Sequence, residues 1–104
     1  RLAVITAPSL VDEIEGALRA SLPAGAVGHG DARLDAPVSV LTVAQAKGLE
    51  FDVVVVAEPG LIDLESAQGS SDLYVALTRA TRDLVVAYTG DLPSFLSSDS
   101  QAVA

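Results

Sequence analysis

Residues 38–57 read VSVLTVAQAKGLEFDVVVVA: two apolar runs, Val38 to Val43 and Phe51 to Ala57, separated by a polar stretch that carries Lys47, Gly48 and Glu50. Both runs are rich in β-branched residues, which suits strands. The second is almost wholly apolar, the pattern of a strand covered on both faces, and such strands belong to parallel sheets. The linking stretch Ala44 to Glu50 is too long for a tight hairpin and holds a glycine where a sharp turn needs one. Towards the amino terminus, Leu2 to Thr6 is a third apolar run, closed by Ala7 and Pro8. A helix is expected next, with Ser9 as its cap, Asp12 and Glu13 in its first turn, and Leu10, Ile14, Ala17, Leu18 and Leu22 on one face. Pro23 and Gly25 end it, and Gly25 to Pro37 reads as a connection with at most a brief strand at Ala26 and Val27. Towards the carboxyl terminus, Ser71 to Arg82 reads as a helix with Leu73, Leu77 and Ala80 on one face, and Leu84 to Tyr88 as a final strand. Asp91 to Leu96 is a candidate short helix, and 97–104 a frayed tail. This alternation predicts an α/β domain with helices packed on a mostly parallel sheet and right-handed crossovers. Ligands in such sheets collect beyond the carboxyl ends of the strands, which directs attention to the loop after Val43.

The whole chain, 1–104, is one domain's length, and half of its residues are hydrophobic, enough for a folded core. The absence of cysteine excludes disulfides and thiolate metal sites, and a single histidine, His29, leaves no histidine cluster. The longest uninterrupted apolar run, Val53 to Ala57, is far below the roughly 18 residues of a membrane span. No signal-type start is present and the first residue is Arg1, so the expectation is a cytoplasmic segment of a longer protein. A net charge of −8 argues against a free-standing nucleic-acid binder, because affinity there grows with the number of phosphates neutralised by Lys and Arg. Arg1, Arg19 and Arg33 are scattered, whereas Lys47, Arg79 and Arg82 fall in two dense segments.

Those segments are 42–52, TVAQAKGLEFD, and 72–82, DLYVALTRATR. By residue type alone, the first is either a ligand-facing turn or a loop with solvated charges. The arginines of the second are either functional or ordinary partners for a helix C-terminus. Taken together, in this order and about thirty residues apart, they resemble motifs V and VI of superfamily 1 helicases of the UvrD/Rep type. The matching positions are Thr42, Lys47, Gly48, Leu49, Glu50 and Phe51, then Tyr74, Val75, Thr78, Arg79 and Ala80.

The resemblance implies the second RecA-like domain of such a motor, a three-layer α/β/α fold of the P-loop NTPase type. ATP would lie between it and a first RecA-like domain. Arg79 would reach the γ-phosphate as an arginine finger, Glu50 would touch the ribose, and Gly48 would allow the close turn. Thr42, Gln45 and Lys47 would be candidate contacts to single-stranded DNA. Thr42 and Gln45 are equally capping or turn residues, and Lys47 equally a partner of Glu50 or Asp52. The family's nucleic-acid-contacting histidine is replaced by Ala44, which neither hydrogen-bonds nor stacks. That departure, with the acidic balance, looks most like the HelD branch, helicase-like ATPases that act on RNA polymerase. No phosphate loop of the Gly-x-x-x-x-Gly-Lys-Ser/Thr type occurs, so the phosphate cradle and Mg²⁺ ligands would come from the first domain and this piece alone would not hydrolyse ATP. Two further readings stay open: a module that acts chiefly by docking on a protein such as RNA polymerase, and a stand-alone acidic domain whose motifs are coincidental.

Overall fold

The computed structural model describes residues 1–23, 25–29, 37–68, 70–89 and 102–103. The elements are β1 (Leu2–Ile5), a 3-10 turn (Pro8–Leu10), α1 (Val11–Ser21), β2 (Val27–His29), β3 (Val38–Leu41), α2 (Val43–Ala46), β4 (Phe51–Ala57), α3 (Pro59–Glu65), α4 (Ser70–Leu77), β5 (Ala80–Ala87) and β6 (Ala102–Val103). The strands form one sheet in the order β2-β3-β1-β4-β5-β6, and every described pairing is parallel, where a mostly parallel sheet was expected. Register places β1 in the middle: Ile5 lies level with Leu41 on one side and Val56 on the other.

Period-two alternation sorts the sheet's side chains between two layers of helix. Ala3, Ile5, Leu41, Val54 and Val56 face α2, α3 and α4, where Val43, Ala46, Ile62, Leu73 and Ala76 complete a buried cluster. Val4 and Val40 face the other way and pack with Val11, Ile14 and Leu18 of α1. The chain crosses the sheet in one direction from β1 to β2 and in the other from β3 to β4 and β5. Crossovers of one hand running in opposite directions put their helices on opposite faces, which is the arrangement seen.

Several boundaries differ from expectation, each for a local reason. The strand expected to run to Val43 stops at Leu41, because Thr42 caps α2. The Thr42 hydroxyl accepts from the Gln45 N–H at 3.3 Å, and the Gln45 Oε1 accepts from the Thr42 N–H at 2.9 Å, a reciprocal capping box. Val43 is buried as a helical residue instead. The helix expected over Ser71 to Arg82 ends at Leu77, and Ala80 to Arg82 belong to β5. Pairing with β4 begins at Phe51 opposite Ala80, so the backbone exchanges another helical turn for a sheet ladder with an irregularity before Asp83. Ser9 does not cap α1; it lies in the 3-10 turn and its N–H and hydroxyl donate to Glu65. Asp12 and Glu13 do occupy the first turn of α1. Helix α3 was not anticipated, although Pro59 at its start is a common opening residue. The candidate helix at Asp91 to Leu96 and most of the expected tail 97–104 fall outside the described residues, apart from Ala102 and Val103, which pair with β5. No helix among the described residues is long and apolar enough to cross a membrane.

Candidate functional site

In a parallel sheet the residue preceding each strand falls on the same edge. Arg1, Glu50 and Arg79 immediately precede β1, β4 and β5, so the sheet collects them at its amino edge. The two dense segments meet there. The Phe51 N–H donates to the Arg79 carbonyl at 3.0 Å, and the Thr81 hydroxyl donates to the Phe51 carbonyl at 3.2 Å. Phe51 itself is fully buried and anchors the junction in the core.

The approach to this edge depends on Gly48, whose φ of +81° lies in the left-handed region that side chains disfavour. A hydrogen bond from the Leu49 N–H to the Ala46 carbonyl at 3.0 Å closes the turn, and Leu49 packs against the core. Glu50 then emerges exposed, and its carboxylate has no partner among the described residues.

Arg79 is half-buried and turned towards this loop. Its Nε donates to the Val75 carbonyl at 3.1 Å, its Nη1 to the Leu49 carbonyl at 3.4 Å, and its Nη2 to the Thr78 hydroxyl at 3.2 Å. All three acceptors are neutral. The guanidinium has five N–H donors, so two remain without an acceptor among the described residues, one on each terminal nitrogen, the number a two-point phosphate contact requires. Arg1 braces the same loop from the β1 side: its guanidinium donates to the Glu50 carbonyl at 3.0 Å and lies 4.8 Å from the centre of the Phe51 ring.

Thr42, Ala44 and Gln45 lie at the other end of the sheet. Leu41 is level with Val56, six residues beyond Glu50, so Thr42 stands roughly 20 Å from Glu50 along the strand direction at ~3.3 Å per residue. The expectation that the whole loop after β3 sits at the carboxyl ends is therefore half right: the loop starts there and delivers Gly48 and Glu50 to the opposite edge. At the carboxyl end, a small solvent-open cleft is lined by Thr6, Pro8, Thr42, Ala44, Ile62 and Asp72, among others. Its polar groups are engaged within the domain. The Thr6 hydroxyl donates to the Ala57 carbonyl at 2.9 Å, the Ser66 hydroxyl to Asp72 at 2.6 Å, and Thr42 and Gln45 satisfy each other. Lys47 pairs with Asp72 at 3.7 Å, rather than with Glu50 or Asp52 as the sequence suggested.

The structure thus groups Gly48, Glu50 and Arg79 at one edge and leaves Thr42 and Gln45 at the other, with Lys47 tied to α4. Arg1, read as a scattered cation, joins the first group. No local pattern announces it, because its contacts span about fifty residues of sequence. Among the described residues no group of three His, Cys, Asp or Glu side chains is placed to hold a metal ion.

Residues 37–87 match the family of UvrD-like helicase C-terminal domains. Among solved structures, the fold is similar to the C-terminal domain of a possible DNA helicase from Lactobacillus plantarum WCFS1, with a TM-score of 0.75 and 27% identity. That likeness covers 97% of this chain and 66% of the other, so the chain spans a little under two thirds of its relative. No protein of curated function matches.

Proposed function

Because residues 37–87 match the family of UvrD-like helicase C-terminal domains, we propose that this chain belongs to it, as the second motor lobe of a superfamily 1 ATPase that contributes to an ATP site completed by a first RecA-like lobe. The observation that carries this reading is the meeting of two segments thirty residues apart at one sheet edge, with Arg79 donating to Leu49 beside Glu50, whose carboxylate has no partner among the described residues. Arg79 keeps two N–H groups and full charge for a phosphate. Glu50 offers a carboxylate that can accept from ribose hydroxyls. Gly48 sets the backbone path that brings Glu50 to the edge. Mg²⁺ and the phosphate cradle belong to the first lobe in this reading. ATP bound there supplies the phosphoryl group whose transfer is catalysed.

The chemical task of Arg79 is to neutralise charge on that phosphoryl group, and a guanidinium in this position is typically worth about 10³ to 10⁵ in rate. Lysine lacks the planar fork that matches two phosphate oxygens. The test is Arg79→Ala in the two-lobed protein: ATP turnover should collapse while ATP binding changes far less. Unchanged turnover would reject the assignment.

A second reading, action mainly through a protein partner such as RNA polymerase, is favoured by the opposite end of the domain. Ala44 stands where the family has a nucleic-acid-contacting histidine, Thr42 and Gln45 are occupied by each other, and the chain carries a charge of −8. Weak ATPase stimulation by single-stranded DNA supports this reading, and strong, salt-sensitive stimulation contradicts it.

A further inference from the structure

The side chain of Thr78 stands between the end of α4 and Arg79, and its one hydroxyl serves both. Its hydroxyl donates to the Val75 carbonyl at 3.0 Å and accepts from Arg79 Nη2 at 3.2 Å. Its own N–H is shared between the carbonyls of Tyr74 and Val75, both at 3.2 Å, so the last turn of α4 fixes the backbone that carries it. The Val75 carbonyl receives three donors in all: the Thr78 N–H, the Thr78 hydroxyl and Arg79 Nε. Hydroxyl, carbonyl and guanidinium therefore form a closed ring of hydrogen bonds. Within it the hydroxyl proton is committed to Val75, which leaves the oxygen lone pairs facing the arginine.

We propose that Thr78 is a positioning residue for Arg79, holding the guanidinium in a defined rotamer with its charge uncompensated until a phosphate anion arrives. This rests on the reading of Arg79 as the residue that reaches ATP. The reasoning is electrostatic and entropic. The chain has fourteen Asp and Glu against six Lys and Arg, so a free arginine at its surface has many carboxylates to pair with. A carboxylate partner would cancel the charge that phosphate needs and would have to be displaced before transfer. Neutral acceptors hold the same side chain without cancelling that charge. An arginine held by one covalent stem alone also loses much rotamer freedom when it engages a ligand, a loss that prior ordering removes from the catalytic step. The Val75 and Leu49 carbonyls are backbone groups that survive substitution. Of the three acceptors of Arg79, the Thr78 hydroxyl alone is a side-chain group.

The test uses the two-lobed protein and steady-state ATP turnover. Thr78→Val keeps the shape and removes the hydroxyl; Thr78→Ala is the second variant should valine unsettle the helix end, and circular dichroism and melting check the fold of both. Loss of one charge-assisted hydrogen bond at an exposed site, where such bonds are weakest, should lower kcat about tenfold with KM for ATP within about twofold. Thr78→Ser should restore turnover to near the wild-type rate, because it restores the oxygen. In an Arg79→Lys background Thr78→Val should cost nothing further, since no guanidinium remains to be held. Wild-type turnover in folded Thr78→Val and Thr78→Ala, while Arg79→Ala has lost activity, would overturn the positioning role and leave the Arg79 assignment standing. An equal loss from Thr78→Val with lysine at 79 would also overturn it. Undiminished turnover in Arg79→Ala would instead remove the reading on which the proposal rests, and the proposal with it.

Discussion

Two glycines of this domain should respond to the same substitution with opposite sign, and both shifts follow from backbone conformation alone. Gly48 adopts a φ of +81°, and a Cβ built on it would find no atom within 4 Å. Alanine there meets no clash, so its cost is the intrinsic penalty of the left-handed region, about 1–2 kcal/mol. Gly16 lies inside α1 and a Cβ there also meets nothing within 4 Å, but its backbone is helical. Alanine at 16 removes unfolded-state freedom and should stabilise by about 0.5–1 kcal/mol. With unfolding entropy near 2.1 cal/mol/K per residue, a chain of 104 residues has about 0.22 kcal/mol/K at its midpoint. Gly48→Ala should thus lower Tm by roughly 5–9 °C and Gly16→Ala raise it by roughly 2–5 °C. Reversible thermal unfolding of the 104-residue chain, followed by circular dichroism, measures both. If Gly48→Ala melts within about one degree of the parent sequence, the turn before Glu50 does not impose the conformation described, and the delivery of Glu50 to the amino edge loses its cause.

Two further substitutions test the packing and the cap that position the segments. Leu73→Ala removes a fully buried side chain from the cluster joining α4 to the sheet, and should cost about 2–5 kcal/mol in urea unfolding. A loss below about 1 kcal/mol would mean that α4, and Arg79 after it, is not anchored there. Thr42→Ala breaks the capping box and should cost about 1 kcal/mol by the same measurement, and Thr42→Ser should recover most of it. An alanine variant as stable as the original would show that Thr42 is free for another partner.

The central architecture was readable because burial on both faces leaves an unmistakable pattern. Val53 to Val56 announce a central parallel strand, and the three- and four-residue spacing of Ile14 and Leu18 announces α1. Errors collected where tertiary pairing or short-range capping outweighed propensity. Val43 extends a β-branched run and so looks like strand, yet Thr42 with Gln45 three residues on is a capping-box pattern, and the box won. Ala80 to Arg82 continue the apparent helix of α4, but an edge of β4 waiting to be paired drew them into a strand. Helix α3 was obscured by Gly60 beside Pro59, both poor helix residues in isolation. At the site, Gly48, Glu50 and Arg79 stood out through the resemblance to motifs V and VI rather than by residue type, and the structure brings the three to one edge. Their separation from Thr42 and Gln45 was not legible, because it depends on which edge of the sheet each end of the loop reaches. The bracing of the Leu49 and Glu50 carbonyls by Arg79 and Arg1 likewise arises from strand order across the sheet.

The most direct measurement is a crystal structure of the two-lobed protein with Mg²⁺ and a transition-state mimic of ATP, such as ADP with aluminium fluoride. The account predicts that a terminal nitrogen of Arg79 lies within hydrogen-bonding distance of the fluoride that stands for the γ-phosphate, and that Glu50 faces the ribose. A mimic bound in the closed cleft with Arg79 still confined to Val75, Leu49 and Thr78, and another cation on the fluoride, would contradict it.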